Sequence, residues 1–380
     1  MSVRTTLVAV TALALSAAAL AAPAVAASPA GTGGDHELTR RAAAAAVAEG
    51  VPGVTVAVKE GHRTWSTTAG VGDIRSGKPR SPHDHYRVGS VTKTFVATVI
   101  LQLEAEGRLS LDDTVDEWLP GLVRGNGHDG RAITLRQLLN HTSGIFDVLA
   151  DPNYQRKYMS AEGFFEHRYD RLKPEDLVAF AMTHEPFFKP GTSWRYSNTN
   201  YVLAALVIEK ATGHPYGDEV RRRIINPLDL KSTSVPVDRV TLPRPSSRAY
   251  SKLARTDTGP TYDVTELNPG IAYGGGQMIS SSADLNRFYS ALLRGKLLPP
   301  EQLKKMKTTV RAAERYGYGL GLVDVELSCG VHVWGHDGGI HGSNTDAATT
   351  EDGHHAVAVN FNGDWSGNTE SVFEAEYCEK

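Results

Sequence analysis

Ser90-Val91-Thr92-Lys93, followed by the apolar residues Phe95, Val96, Ala97, Val99, Ile100 and Leu103, decides how this chain is read. The apolar run predicts a buried helix. A serine and a lysine three residues apart on one helix meet across a single turn. A serine hydroxyl is a weak nucleophile at neutral pH and needs a neighbouring base. A lysine whose pKa is lowered by partial burial and nearby positive charge can be that base or can relay the proton. Tyr86-Arg87-Val88-Gly89 precedes the pair, and Gly89 permits a sharp turn. The serine then sits at a helix start, where free backbone N–H groups favour developing negative charge. The spacing alone is weak, since about one such pair arises by chance in a chain this long. Its weight comes from two motifs later in the chain, Tyr196-Ser197-Asn198 and then His336-Asp337-Gly338-Gly339.

Composition bounds the alternatives. The chain has 380 residues, 41% hydrophobic and 22% charged, with net charge −3, so a sizeable core is available. The longest basic run is Arg221-Arg222-Arg223, which reads as a solvated helix end, and nucleic-acid binding is disfavoured. Arg4, the apolar stretch 7–20 and Ala24-Val25-Ala26 read as a signal peptide over residues 1–27, followed by a linker at 28–34. The apolar stretch is short and alanine-rich for a spanning helix. The expectation is therefore a secreted protein, extracellular or in the cell-wall space, without a stable membrane anchor. The two cysteines, Cys329 and Cys378, suggest one disulfide in an exported protein, with free thiols as the alternative. No metal site is expected. His83, His85, His354 and His355 read as solvated turn residues.

Residues 38–48 predict a first helix, and 53–58 with 64–70 an antiparallel hairpin. Residues 109–293 read as a largely helical lobe, including helices at 134–139, 174–183, 200–211 and 280–293. From 316 to 361 short β-branched strands return, and 373–377 predicts a terminal helix. The order strands, helices, strands predicts an α+β fold. An antiparallel sheet flanked by helices would join both β portions, and a mostly helical second lobe would leave a cleft between. One domain over 35–380 is expected, with no internal repeat.

The ordered motifs resemble those of the serine penicillin-recognising enzymes. Within them the chain is most similar to the group of class C β-lactamases, secreted D-alanyl-D-alanine carboxypeptidases, D-aminopeptidases and esterases. Besides these three motifs, the likeness rests on Leu138-Leu139-Asn140-His141-Thr142-Ser143-Gly144, Gly275-Gly276-Gln277-Met278-Ile279-Ser280-Ser281 and Tyr316-Gly317-Tyr318-Gly319-Leu320-Gly321. The resemblance implies Ser90 as acylated nucleophile, Lys93 in its proton network, and Tyr196 as base or acid with its phenolate stabilised by Lys93. It implies Asn198, His336, Asp337 and Gly338 as substrate-binding, and the backbone N–H groups of Ser90 and Gly339 as oxyanion hole. His141 is read as bonding backbone locally.

One position departs from that group, which commonly has threonine or serine between the basic residue and the glycine. Here it is Asp337, and a carboxylate facing a substrate carboxylate is repelled. Either Asp337 points away or the substrate is not carboxylate-terminated. The leading expectation is a monomeric D-alanyl-D-alanine carboxypeptidase that acts on a peptide or other small acyl substrate and needs no cofactor. A D-aminopeptidase, esterase or β-lactamase is the alternative. A non-catalytic penicillin-binding or sensor protein is the rival from another class, disfavoured by retention of Ser90, Lys93, Tyr196 and Asn198.

Overall fold

The strand Gly53–Glu60 carries Val54, Val56 and Val58 at alternating positions, all buried. It turns tightly into Arg63–Asp73, with Glu60 opposite Arg63. Its other edge pairs antiparallel with His355–Phe361, so the C-terminal strands return to the N-terminal hairpin. This computed structural model describes residues 36–253 and 258–378; the expected signal peptide and linker lie outside them. The resulting sheet has nine strands. From one edge they run Val310–Ala313, Tyr316–Tyr318, Val323–Glu326, His332–Ile340, Ser343–Thr350, His355–Phe361, Gly53–Glu60, Arg63–Asp73 and Lys78–Pro79. The α+β expectation holds.

Terminal helices cover one face. Ala43 and Ala46 of Glu37–Ala48 and Val372, Phe373 and Tyr377 of Glu370–Tyr377 form a core with the three valines. Cys329 and Cys378 are bonded with Cα atoms 5.5 Å apart, tying the turn before His332–Ile340 to the end of the last helix. The opposite face carries Ser282–Leu293, whose Asn286 amide donates to the Ala57 carbonyl at 2.8 Å. Phe288 of that helix stacks on Phe95 at 3.7 Å. This helix was expected in the helical lobe, yet it belongs to the sheet layer. A helix with a broad apolar stripe is drawn to the largest unpaired apolar face, whatever its place in the chain.

The helix Thr92–Ala105 is buried on nearly every side, which fits its near-continuous apolar sequence. It lies between the sheet layer and the helical region, where it also packs against Asn198–Thr212. Two histidine readings are corrected. His85 is buried and bonds the Pro245 carbonyl at 2.7 Å. His355 lies in a strand and bonds Glu376 at 3.0 Å. Among the described residues no helix is long and apolar enough to cross a membrane.

Candidate active site

Ser90 sits in a single 3-10 turn, Gly89–Val91, that runs straight into the Thr92–Ala105 helix. Gly89 has φ +52°, and a Cβ there would lie 2.8 Å from the backbone of Gly339. Only glycine meets both demands. Gly338 faces the same turn from the strand His332–Ile340, and a Cβ on it would lie 2.1 Å from the Val88 carbonyl oxygen and 2.8 Å from the Ser90 nitrogen. These two contacts bring the backbone N–H groups of Ser90 and Gly339 to one corner of the cleft. Gly338, expected to bind substrate, permits this close approach.

Lys93 is fully buried, and its Nζ lies 2.9 Å from Ser90 Oγ, 2.8 Å from Asn198 Oδ1 and 2.7 Å from the Gly275 carbonyl. Burial pushes its pKa down to about 7, while Asp147 and Asp337 pull it up. Of the two causes expected from sequence, burial acts here and positive neighbours do not. A neutral amine has two hydrogens and one lone pair. Asn198 Oδ1 and the Gly275 carbonyl can only accept, so they take the hydrogens and the lone pair is left facing the Ser90 hydroxyl.

Asn198 is held in that orientation from behind. Its Nδ2 donates to Asp147 Oδ1 at 3.2 Å, and its backbone N–H to the same oxygen at 2.9 Å. Burial raises the Asp147 pKa. Asn198, expected to bind substrate, here holds the Lys93 amine. Asp147 was missed, because nothing near it in sequence marks a contact 51 residues away.

Tyr196 is the second correction. Burial, followed by Asp337, pushes its pKa well above the usual phenol value, with the nearby Ser90 hydroxyl pulling the other way. Its hydroxyl makes no hydrogen bond of good geometry, though the Ser90 hydroxyl lies near enough to act on it. Lys93 Nζ sits over the ring, 4.8 Å from its centre. A stabilised phenolate is not what this environment favours; it favours a protonated tyrosine beside the Ser90 hydroxyl. The ring rests on His141 at 4.2 Å, so His141 does not bond merely to local backbone.

His336 and Asp337 do not share a face. His336 is 2% exposed and its ring lies on the Lys93 side of the sheet. Its Nε2 lies 2.9 Å from the Tyr318 hydroxyl and its Nδ1 2.6 Å from the Asp337 carbonyl. Burial pushes its pKa down to about 4. The Asp337 side chain is 61% exposed and stands opposite Asp346 in the strand register. It lines a small cavity of about 40 Å³ under the terminal helix with Tyr316, Glu370, Phe373 and part of His336. Neither His336 nor Asp337, both expected to bind substrate, is among the residues lining the cleft at Ser90, although the Asp337 charge is felt at Lys93 and Tyr196. Successive strand residues point to opposite faces, which puts Asp337 outside.

The cleft itself has a volume of about 940 Å³ and is lined by Ser90, Tyr196, Asn198 and Gly339, with an apolar wall that includes Leu149, Tyr154, Leu177 and Ile271. For metals, Glu60, His355 and Glu376 bring one ligand atom each within 4.8 Å of one another. The Glu376 carboxylate is already engaged by His36, Thr39 and His355.

A serine at a helix start with a buried lysine amine 2.9 Å from its hydroxyl, on this fold, defines the β-lactamase and penicillin-binding-protein class. The Beta-lactamase family profile matches residues 38–372. The chain belongs to that family. Among curated proteins it is 29% identical over 307 residues to penicillin-binding protein 4* of Bacillus subtilis, covering 77% of this chain and 64% of that one. It thus spans less than two thirds of that relative's length. Among solved structures it is similar to a D-stereospecific amidohydrolase from Streptomyces sp., at 56% identity and TM-score 0.87, covering 91% of this chain and 100% of that one. A D-amino acid amidase from Ochrobactrum anthropi SV3, in complex with L-phenylalanine amide, is 27% identical with TM-score 0.76, covering 89% and 97%.

Proposed function

We propose that this protein is a D-stereospecific amidohydrolase, cleaving amides or esters of D-amino acids through an acyl-enzyme on Ser90. The observation that carries this reading over a carboxypeptidase is the state of the third motif. A free substrate carboxylate calls for a cation or a hydroxyl at that end of the cleft. His336 is buried with its pKa pushed down to about 4, and Asp337 faces the other side of the sheet. The 56% identity to the Streptomyces amidohydrolase supports the same choice. The apolar wall of the cleft suits a bulky apolar acyl side chain.

In this mechanism Ser90 attacks the carbonyl carbon as its proton passes to the Lys93 lone pair. The tetrahedral oxygen is received by the N–H groups of Ser90 and Gly339, where such donors typically supply several kcal/mol. Tyr196, held protonated, gives its hydrogen to the leaving nitrogen, and Lys93 resupplies it. Water then attacks the ester, using the same groups in reverse. Asn198 and Asp147 fix the amine's orientation. We also read the protein as exported, on Arg4, the apolar stretch 7–20 and the small-residue pattern Ala24-Val25-Ala26, with which the bonded Cys329–Cys378 pair is consistent.

The test is a comparison of kcat/KM for D-phenylalanine amide, L-phenylalanine amide and a D-Ala-D-Ala peptide with a free carboxylate. The D-amide should exceed each of the others by at least about tenfold. Preference for the carboxylate-terminated peptide would restore the carboxypeptidase reading.

A further inference from the structure

Behind Tyr196 runs a row of buried polar groups that the reaction scheme does not use. Each hydrogen in it can be assigned from its partners. Ser143 Oγ accepts the Ile145 N–H at 3.1 Å, so its own hydrogen goes to Asn200 Oδ1 at 2.7 Å. That fixes the Asn200 amide, whose Nδ2 faces His141 Nδ1 at 3.1 Å. The Ser197 N–H points to the same nitrogen at 3.2 Å. His141 Nδ1 is therefore a lone pair, and a neutral His141 carries its hydrogen on Nε2. Nε2 lies 3.1 Å from the Tyr318 hydroxyl, which accepts and passes its own hydrogen to His336 Nε2 at 2.9 Å. His336 then carries its hydrogen on Nδ1, where the Asp337 carbonyl, which can only accept, lies 2.6 Å away.

The row closes from both ends on one tautomer. Protonating His336 would aim a second donor at the Tyr318 oxygen and force the tyrosine hydrogen to turn away to Tyr201, whose own hydroxyl donates to the Leu139 carbonyl, so the row would have to rearrange. The groups facing His336 are Lys93 from the serine helix, Tyr196 and His141 from the helical side, Tyr318 from the neighbouring part of the sheet, and Asp337 on its own strand. Asp337 Oδ1 lies 3.5 Å from His336 Nδ1 and favours the charged ring, while burial and Lys93 oppose it.

We propose that Tyr318, oriented by His141, is a specificity-determining positioning residue. It holds His336 neutral behind Tyr196, whose ring lies 6.3 Å from the imidazole, so no cation stands behind that wall of the cleft to draw a free carboxylate. This rests on the amidohydrolase reading, and it adds the residue that enforces it. Tyr318 acts through His336 and need not touch substrate.

The first measurement is nitrogen NMR of histidines in the wild-type protein, which requires no variant to fold. At pH 6 His336 should be neutral with its hydrogen on Nδ1, and His141 neutral with its hydrogen on Nε2. A charged His336, or one with its hydrogen on Nε2, overturns the relay. The second uses Tyr318→Phe. With the tyrosine hydrogen gone, the His336 pKa should rise by at least about one unit. The ratio of turnover on a carboxylate-terminated D-dipeptide to turnover on D-phenylalanine amide should then rise about fivefold between pH 8 and pH 5.5, and stay flat in wild type. An unchanged His336 titration with an unchanged ratio overturns the role of Tyr318. If wild type itself prefers the carboxylate peptide, the amidohydrolase reading and the specificity role fall together, while the NMR tautomers report on the relay alone.

Discussion

Lys93 and His336 are two buried basic groups within one cleft region, and burial lowers the pKa of both. Their partners make them opposites. Two fixed acceptors take the hydrogens of Lys93, and its lone pair meets a serine hydroxyl that can react. Both nitrogens of His336 are engaged by groups that have nowhere to go, a tyrosine oriented from behind and a backbone carbonyl. Burial alone therefore does not make a buried base catalytic. A free lone pair aimed at a movable proton does.

The largest expected effect breaks this contrast at its active end. Lys93→Met keeps the volume and removes the amine, and kcat/KM on D-phenylalanine amide should fall about 10²–10⁴-fold, the usual range for a lost general base. A fall under tenfold in a folded variant would show that Ser90 finds its base elsewhere.

The pH profile sharpens the contrast. Below its pKa Lys93 is an ammonium without a lone pair, so kcat/KM should rise with pH through about 7 and level off above it. Tyr196, with its pKa raised well above the phenol value, should add no alkaline fall across the neutral range. An acid limb centred near pH 4 would assign the titration to His336 instead, whose pKa is pushed to about that value.

The smallest effect concerns the other face of the strand. Asp337→Asn should change kcat/KM by less than about threefold, because its largely exposed charge is screened by solvent. The acid limb should move slightly to lower pH, since Asp337 is one of the charges that raise the Lys93 pKa. A large gain on carboxylate-terminated peptides would mean that Asp337 does reach the substrate.

The sequence made the active end legible because its parts are local. Ser90 and Lys93 share one helical turn, and Gly89 marks the bend before them. The return of the C-terminal strands followed from the order of β-rich segments. Asp337 was also readable in principle: strand alternation forbids adjacent residues from sharing a face, and His336 already claimed the inner one. Asp147, His141 and Tyr318 were not readable as a set. Asp147 meets Asn198 across 51 residues, and Tyr318 meets His141 across 177, so only the folded chain brings them together. The lowered Lys93 pKa was anticipated with burial as one cause, but the completeness of that burial and the absence of a positive neighbour's contribution are tertiary properties.

The central claim is that Ser90 carries the acyl group of a D-amino acid. Rapid acid quench during turnover of a D-phenylalanine ester, followed by digestion and mass spectrometry, reads that bond directly. A D-phenylalanyl adduct is expected on the peptide containing Ser90, with no adduct in a folded Ser90→Ala variant and far weaker labelling by the L-ester. An adduct on another residue, or undiminished turnover in Ser90→Ala, would contradict it.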